Sequence, residues 1–525
     1  MKAIHCASVF SDHCVLQRRK PIRIWGTAAD DTPITVTLNG TSANTVSKNH
    51  SWSLELPAME AGGPYILEVL SSDKVYQHFE DVMIGEVWLA GGQSNMEYKL
   101  EQDAEGKEAM QNALSSNVRF YQVQQLAYKD DYFYRVEQEN HWMLPSDEDL
   151  KIWSAVGYYF AAQLAQQLNV TVGIIGCNWG GTSACAWQDK ESILACDDTR
   201  IYWEEYEELI AKQDPEEYEK GWADYLAWHA DWQPRMDAYY AEHPDADWEE
   251  ALSVVGPCLW PGPMGPKHEF RPCGLYETML KRVAPYALAG FIYYQGESDD
   301  HRPHSYYHLF KNMIAAWRRD FREEALPFLC AQLPIHHYES DIVMDKWCPI
   351  RQAQMQLHRE GVVDGIAVLL DCGEYNNIHP IHKKEAGRRF ALQALHHVYG
   401  LLPANDAYGP IYKKHVIEGN TVTVHFDYAE EGFVQKFPAT SKHMQGDTQA
   451  DTMSCTEPTN LPHFELADSR GDYYPAKAVL QGSQIILTSE WVANPVHARY
   501  FWIDYAEVTL FGANGLPVAP FNTKY

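Results

Sequence analysis

The chain has 525 residues, of which 46% are hydrophobic and 13% aromatic, so it can bury more than one sizeable core and is not globally disordered. Acidic residues outnumber basic residues by 72 to 42, which gives a net charge of −30. A surface of this charge repels nucleic-acid phosphates and anionic lipid, and no apolar run reaches the length of a membrane span. We therefore expect neither nucleic acid nor a membrane as a partner.

Cysteine usage and the N-terminal segment bear on the compartment. The 11 cysteines are scattered and include no CxxC pair, which is typical of reduced thiols rather than of a disulfide framework. The opening residues, MKAIHCASVFSDHCVLQ, lack the sustained apolar segment of a signal peptide. These features predict a cytoplasmic protein, and a secreted chain whose signal had been removed would show the same pattern.

Residues 1–84 predict an N-terminal β domain. Short runs of β-forming residues alternate there with Gly, Asp, Asn and Ser turns. The runs are Pro21–Trp25, Pro33–Leu38, Trp52–Leu56 and Tyr65–Leu70. No segment with helical periodicity interrupts them, so we predict a small β-sandwich.

From residue 85 to residue 401 the pattern changes to alternating strands and helices. Apolar strand runs occupy Glu86–Ala90, Val170–Cys177, Leu288–Tyr294, Pro327–Leu333 and Ile366–Asp371. Segments with helical spacing occupy Trp153–Leu168, Ser305–Phe321, Ile350–Arg359 and His382–Tyr399. This alternation predicts an α/β fold in which helices cover both faces of a parallel sheet.

Two further regions differ from this alternating pattern. Residues 191–266 are dense in Trp, Tyr, Glu and Asp, and predict a helical insertion that is either a hairpin at the rim of the site or a solvated acidic cover. Residues 402–525 return to β-forming runs, which predicts a C-terminal β region packed on the core. Its clearest runs are Thr421–Phe426, Val479–Leu487 and His497–Ile503.

Groups suited to chemistry follow four of the predicted strands at the points where those strands end. Ser94 lies in GGQSN, and Gly180 lies in NWGGT, where a glycine pair can turn backbone N–H groups toward a ligand. Gln295 and Glu297 lie in YYQGESD, and His379 lies in NNIHP. Taken alone, the Ser94 stretch is more typical of an ordinary strand-to-loop turn and a single histidine is more often structural.

Together the four motifs offer a hydroxyl, a backbone N–H, a neutral amide donor and an imidazole, which are the parts of an acyl-transfer site. The carboxyl ends of parallel strands meet at one edge of a sheet, so we expect these groups to lie close together. The chain has no G-x-S-x-G elbow, G-x-G-x-x-G, P-loop or HExxH, and its adjacent histidine pairs lack metal-ligand spacing. We therefore predict no metal and no cofactor.

These stretches resemble the sialate O-acetylesterase family of SGNH-type hydrolases. The resemblance covers nearly the whole chain and is strongest in four ordered stretches. They are GEVWLAGGQSNM, GCNWGGTSACAW, Arg271–Asp299 and Asn376–Arg389. It implies a three-layer α/β/α SGNH core over residues 85–401, flanked by β-sandwich-like accessory regions.

The same resemblance implies a role for each group. Ser94 would be the nucleophile, and His379 would be the base that activates it and later protonates the leaving sugar hydroxyl. The oxyanion would be held by the N–H of Ser94, the N–H of Gly180 and the side chain of Gln295. Loss of one such donor typically raises the barrier by about 3 kcal/mol.

The chain departs from the SGNH pattern at one position. These enzymes often have an aspartate three residues before the histidine to orient its ring, and Asn376 occupies that position here. Asp371, Glu374 or Glu297 could supply the missing carboxylate from nearby. A backbone carbonyl could also orient His379, which would leave a Ser–His dyad.

The leading hypothesis is a serine esterase that removes O-acetyl groups from sialic acid or acetylated glycans through an acetyl-serine intermediate. An acetylxylan- or xyloglucan-type polysaccharide acetylesterase is an alternative, and the acidic net charge slightly favours such a neutral sugar. A catalytically impaired carbohydrate-binding homologue is the other alternative, motivated by Asn376 and by the 17 Trp and 32 Tyr residues. The expected partner is in each case an acetylated sugar or glycan.

Overall fold

A computed structural model describes residues 4–72, 74–114, 116–146, 148–243, 246, 248–436 and 461–525. Seven strands form the main path of its central sheet, and we number them in chain order. They are β1 (Lys74–Gly92), β2 (Val118–Gln122), β3 (Trp142–Met143), β4 (Val172–Asn178), β5 (Gly290–Tyr294), β6 (Phe328–Gln332) and β7 (Gly365–Val368). Their order across the sheet is β3-β2-β4-β1-β5-β6-β7.

The sheet is mixed, whereas the sequence predicted a parallel one. The pairs from β2 through β4, β1, β5 and β6 to β7 are all parallel. The short edge strand β3 runs antiparallel to β2, and the first part of β1 pairs antiparallel with the N-terminal strand Gly62–Ser71. The alternating pattern did not predict β2 and β3, because they are short and β2 reads VRFYQ, with polar residues inside it.

Five helices lie beside this sheet or at its edge. They are α1 (Ser94–Glu97), α2 (Ala155–Leu168), α3 (Tyr306–Asp320), α4 (Cys348–Arg359) and α5 (Lys384–His397). Helices α2 and α5 pack against each other and against the sheet, and α3 packs against α4. The Ser154 hydroxyl caps α2 by accepting the N–H of Gly157 at 3.0 Å, and α2 ends at Asn169, which has a left-handed φ of 51°.

The remaining helices connect these elements or form the insertion. The insertion contains Asp197–Lys212, Pro215–Glu242 and Trp248–Val255, so it is helical as predicted. Elsewhere the α-helices are Gly106–Ala113, Asp131–Glu139, Lys190–Leu194, Lys281–Val283 and Ala404–Ala407, and a π-helical turn spans Tyr276–Leu280. Short 3-10 turns span Leu100–Gln102, Asp149–Ile152, Ala184–Trp187, Glu297–Asp299 and Leu370–Cys372.

The N-terminal region is all-β over its described residues. Its strands are His5–Cys6, Val15–Gln17, Ile22–Thr27, Pro33–Leu38, Thr41–Val46, Ser51–Leu56 and Gly62–Ser71. Strand β1 leaves this region and continues without a break into the central sheet, so the predicted boundary at 84/85 lies inside one strand rather than in a linker. The sandwich arrangement of this region stays a prediction.

The C-terminal region is built mainly from β-strands where the structure describes it, after the short helix Ala404–Ala407. They are Ile411–Glu418, Thr421–Asp427, Phe433–Gln435, Phe464–Ala467, Tyr473–Pro475, Lys477–Gln481, Gln484–Thr488, His497–Tyr500, Leu510–Gly512 and Phe521–Asn522. The run Val479–Leu487 thus contains parts of two antiparallel strands, which turn at Gly482 with a φ of +59°. A two-residue ladder, His336–His337 with Glu374–Tyr375, lies between β6 and α5 in the chain.

Two features of the described residues bear on the expectations drawn from composition. Every cysteine in the described part of the chain is a free thiol, in agreement with the prediction of no disulfide framework. Within the same described residues, each helix is too short or too polar to traverse a lipid bilayer.

Candidate active site

The strand register brings the predicted site to one edge of the sheet. Gly92 at the end of β1 lies level with Asn178 at the end of β4 and with Tyr294 at the end of β5. The chain builds β2 to β4 on one side of β1 and β5 to β7 on the other, so β1 lies at the topological switch point. Open α/β sheets bind their ligands in the crevice outside that point. Ser94 follows β1 directly into this crevice.

The turn between β1 and Ser94 requires a glycine. Gly92 has a φ of +137°, and a Cβ at this position would lie 2.1 Å from the carbonyl oxygen of Tyr294. The next residue, Gln93, donates its N–H to the same carbonyl at 3.1 Å. Its side-chain Oε1 accepts the N–H of Ser298 at 3.1 Å. Gln93 therefore joins the loops after β1 and β5 twice, through its backbone and through its side chain.

Ser94 opens the short helix α1 and is half-buried. The first N–H groups of a helix have no partner inside the helix. Among the hydrogen bonds of the described residues, neither the N–H nor the hydroxyl of Ser94 has a partner. Both groups are therefore free to meet a ligand at the sheet edge.

Asn95 links the serine loop to the histidine loop. It is fully buried, and its Nδ2 donates to the carbonyl oxygen of Ile378 at 3.0 Å, 283 residues along the chain. The same amide nitrogen donates to Oε1 of Glu297 at 2.6 Å, while its Oδ1 accepts from the Lys383 amine at 2.5 Å. One amide therefore holds together the segments next to Ser94 and His379.

Burial changes the charge states of the groups around Asn95. Lys383 is 2% exposed, and burial lowers the pKa of its amine to about 8 against the opposing effect of nearby carboxylates. Burial raises the pKa of Glu297, and its buried Oε2 has no hydrogen-bond partner among the residues that the structure describes. The Lys383 amine and the Glu297 carboxylate are therefore both poorly solvated, and each hydrogen-bonds the side-chain amide of Asn95.

His379 lies in this neighbourhood with a half-buried ring. Burial, together with the nearby charges of Lys383 and His336, lowers the pKa of His379 to about 4. The imidazole is therefore neutral at pH 7 and can accept a proton. No hydrogen bond joins it to Ser94 in the part of the chain that the structure describes. Such catalytic bonds are often long until substrate binds.

None of the three candidate carboxylates hydrogen-bonds the imidazole of His379 among the described residues. Asp371 instead accepts two bonds from the buried guanidinium of Arg389, at 2.6 and 2.9 Å. Glu374 accepts the side-chain amide of Asn377 at 2.7 Å and the N–H of Ile381 at 2.9 Å. These two bonds join Glu374 to residues on either side of His379, so Glu374 holds the loop that carries the histidine.

The third candidate, Glu297, bonds Asn95 as described above. All three carboxylates are therefore engaged elsewhere, and whether Ser94 and His379 act as a dyad stays a prediction.

The amide of Gln295 does not point free into the crevice. Its Nε2 donates to Oδ2 of Asp299 at 2.6 Å and to the carbonyl oxygen of Thr182 at 3.2 Å. An amide nitrogen has two hydrogens, so both are used. Asp299 is fully buried and also accepts from Ser183 and Ala184. As the structure stands, Gln295 joins the loops after β4 and β5 and has no hydrogen left for an oxyanion.

The N–H of Gly180 also has a partner. Gly180 lies beside the serine, because a Cβ placed on it would be 3.3 Å from the Cβ of Ser94. Its N–H donates to Oε2 of Glu97 at 2.6 Å. The glycine is therefore where an oxyanion donor is expected, but a carboxylate three residues beyond Ser94 holds its hydrogen.

Known proteins share similarity with this chain in sequence and in fold. A sequence profile described as "Carbohydrate esterase, sialic acid-specific acetylesterase" matches residues 266–395. Human sialate O-acetylesterase is 24% identical over 564 residues, covering 98% of this chain and 91% of its own, and the Mus musculus protein is 25% identical over 335 residues, covering 60% and 56%. A crystal structure of a carbohydrate acetylesterase from Xanthomonas citri is 25% identical, covers 99% of each chain and has a TM-score of 0.73.

These comparisons support the sialate O-acetylesterase family for this chain. Its enzyme class is therefore that of the carbohydrate O-acetylesterases, and the resemblance found in the sequence is confirmed. The roles of individual residues in this esterase stay predictions.

The esterase has site residues that the sequence motifs did not single out. Asn95 directly follows the predicted nucleophile, Glu97 lies three residues after it, and Asp299 lies at the end of YYQGESD. Lys383 immediately precedes α5, four residues after His379. Their closeness to the motifs was a usable signal, but their bonding partners lie up to 288 residues away and could not be predicted from spacing.

Proposed function

We propose that the protein is a serine esterase that removes O-acetyl groups from sugars, with Ser94 as nucleophile and His379 as general base. The observation that supports this most directly is the hydrogen bond from Asn95 to the carbonyl oxygen of Ile378. This bond joins Asn95, the residue after Ser94, to Ile378, the residue before His379. The two groups of helices packed beside the sheet support the three-layer α/β/α core that the family resemblance implies.

In the first half of the reaction, His379 takes the proton from Ser94 as its Oγ forms a bond to the acetyl carbon. The carbonyl π electrons move to oxygen and give a tetrahedral oxyanion. When that intermediate collapses, the bond from the acetyl carbon to the sugar oxygen breaks, and the imidazolium of His379 protonates the leaving oxygen. The product is a free sugar hydroxyl and acetyl-Ser94.

In the second half, His379 takes a proton from water as the water oxygen attacks the acetyl carbon. Collapse breaks the bond to Ser94, which recovers its proton from the imidazolium, and acetate leaves. The neutral imidazole required at the start of each half is the form that the low pKa of His379 supplies at pH 7.

We propose that the free N–H of Ser94 is the first donor to the oxyanion. The N–H of Gly180 becomes the second donor when the Glu97 carboxylate withdraws from it. Gln295 could donate only by exchanging its bond to Asp299 or Thr182 for one to the oxyanion. Its proposed contribution is therefore chiefly to fix the loop that faces Ser94.

The substrate is proposed at the level of an acetylated sugar. The curated relatives are named for sialic acid, and the Xanthomonas citri neighbour for carbohydrate more broadly. Incubation with p-nitrophenyl acetate and with a panel of acetylated glycans and O-acetyl sialic acids tests the activity through release of acetate. We expect Ser94→Ala to abolish release and the exposed control Ser253→Ala to match wild type. Equal rates for wild type and Ser94→Ala would contradict the mechanism.

A second candidate function follows from the engaged donors. With Gly180 bonded to Glu97 and both amide hydrogens of Gln295 in use, a protein that binds acetylated sugars without hydrolysing them is the alternative. Glycan binding without acetate release from any member of the same panel would favour it.

A further inference from the structure

A cavity of about 450 Å³ opens between the helical insertion and the sheet edge. The insertion helix Asp197–Lys212 supplies one wall, including Glu205 and Tyr206, and Phe270 supplies another. The loops after β4 and β5 close it with Gly181 and Ser298. Its volume lies in the range of sites that hold small molecules, which is about 300–1,000 Å³.

The cavity begins next to the proposed nucleophile. Gly181 follows Gly180, on which a Cβ would lie 3.3 Å from the Cβ of Ser94. On the other side, the N–H of Ser298 donates to the Gln93 side chain at 3.1 Å, immediately before Ser94. A sugar whose acetyl group lay at Ser94 would therefore extend between these two loops into the cavity.

Aromatic rings form part of the cavity lining. Tyr206 and Phe270 are both lining residues, and both are half-buried. Trp260, which lies outside the lining, meets the ring of Phe270 edge to face at 5.5 Å, and both rings close on Gly181, where a Cβ would be 2.8 Å from Phe270 and 3.2 Å from Trp260. Flat apolar rings that remain open to solvent can stack against the C–H faces of a sugar ring.

The only fixed positive charge among the described lining residues is already paired. The guanidinium of Arg302 donates to the Glu205 carboxylate at 2.6 Å and lies over the ring of Tyr202, 5.1 Å from its centroid. The neighbouring His301 is the other titratable base in the lining. A carboxylated sugar would have to displace Glu205 to reach the guanidinium, whereas a neutral sugar needs no such exchange.

We propose that this cavity is the subsite for a neutral sugar residue of the acetylated glycan, and that Glu205 disfavours sugars that bear a carboxylate, such as sialic acids. The proposal rests on the proposed function, because it takes Ser94 as the point where the acetyl group lies. It assigns the insertion at 191–266 a role in substrate selection.

Binding by Ser94→Ala, a variant that cannot turn the probes over, tests the subsite separately from catalysis. The probes are acetylated xylo-oligosaccharides and 9-O-acetyl-N-acetylneuraminic acid, measured by calorimetry. We expect the neutral probe to bind at least about tenfold more tightly. Equal affinities, tighter binding of the sialic acid, or no binding of either probe would overturn the proposal.

Glu205→Gln isolates the charge effect. Freeing the guanidinium of Arg302 should raise the affinity for the sialic acid about fivefold or more and leave the neutral probe within about twofold. Glu204→Gln is the matched control, because Glu204 is an exposed neighbour outside the lining. If both substitutions change sialic acid binding equally, the effect is general electrostatics and the proposed role of Glu205 is wrong.

Tyr206→Ala isolates the aromatic wall, because Tyr206 lines the cavity from the insertion. We expect the ratio of kcat/KM on the acetylated xylo-oligosaccharide to kcat/KM on p-nitrophenyl acetate to fall about tenfold, through KM rather than kcat. Trp248→Ala is the control, since Trp248 lies in the same insertion, is 49% exposed and does not line the cavity. An unchanged ratio for Tyr206→Ala would overturn the subsite. If wild type hydrolyses none of the probes while Ser94→Ala keeps the expected binding preferences, only the proposed function is overturned.

Discussion

At the scale of single residues, His379 shows how strongly its surroundings set the chemistry. A carboxylate beside an imidazole raises its pKa and stabilises the imidazolium, as in a Ser-His-Asp triad. His379 has burial and the Lys383 charge around it instead, and its pKa falls to about 4. The ring is fully neutral at pH 7, but it is a weaker base than a triad histidine. We therefore expect modest turnover on simple esters.

The pH dependence of the reaction follows from that shift. Only the neutral imidazole is active, so activity is lost as pH falls through the pKa of His379. We expect kcat/KM for p-nitrophenyl acetate to be level from about pH 7 to about pH 5 and to fall with a midpoint near 4. Near-UV circular dichroism at each pH controls for unfolding. A midpoint near the ordinary histidine value of about 6.5 would show that a carboxylate supports the ring.

The candidate acids give a second prediction at this scale. We expect Asp371→Asn and Glu374→Gln each to lower kcat by less than about 100-fold, since neither carboxylate bonds His379, against about 10⁴-fold when a serine-protease triad loses its aspartate. Asp371→Asn should mainly lower the free energy of unfolding, because it breaks the pair with buried Arg389. Glu431→Gln, which is exposed, is the control. A 10⁴-fold loss of kcat at unchanged stability would identify the orienting acid.

At the scale of elements, the helices and strands with strong periodicity were predictable. The helix predicted at Ser305–Phe321 spans Tyr306–Asp320, and the strand predicted at Leu288–Tyr294 spans Gly290–Tyr294. Each has a long apolar stripe or an unbroken apolar run that tertiary contacts reinforce. The short strands β2 and β3 have neither, because their place in the sheet depends on neighbours distant in the chain.

The strand ends that carry the candidate site residues were also predictable from the sequence. That four strand ends would share one edge was predicted from the parallel pairing, and the register of β1 with β4 and β5 agrees with it for three of them, those before Ser94, Gly180 and Gln295. Which donors remain free could not follow from the motifs. The engagement of Gly180 by Glu97, and of Gln295 by Asp299, depends on rotamers and loop packing that a pattern of residue types does not contain.

The end of β1 supplies the prediction at this scale. Gly92→Ala places a Cβ 2.1 Å from the Tyr294 carbonyl oxygen at a φ of +137°. We expect it to lower the free energy of unfolding by about 3 kcal/mol or more and to lower esterase activity by shifting Ser94. Gly40→Ala is the matched control, because Gly40 has a φ of +77° with nothing within 4 Å of the added Cβ. Its cost is about 1 kcal/mol from backbone strain. Equal losses in urea unfolding would show that the carbonyl contact is unimportant.

At the scale of the whole molecule, the accessory β regions are attached to the catalytic sheet by specific contacts. Strand β1 belongs to both the N-terminal region and the central sheet. At the other end, Arg351 of α4 donates to the carbonyl oxygens of Ile503 and Asp504 at 2.8 and 2.9 Å. The Asp504 carboxylate accepts the N–H groups of Lys346 and Trp347 at 2.8 Å each. Both terminal regions are therefore attached to the catalytic domain, and the N-terminal one pairs with the part of β1 that lies away from Ser94.

Ser94 and His379 lie far apart in the chain, and a double-mutant cycle measures whether they act as one unit. kcat for p-nitrophenyl acetate is determined for wild type, Ser94→Ala, His379→Ala and the double variant, with folding checked by circular dichroism. Groups that act together are strongly non-additive, so we expect each single substitution to lower kcat nearly as far as the double. Losses that multiply, or a Ser94→Ala rate equal to wild type, would contradict a shared catalytic site.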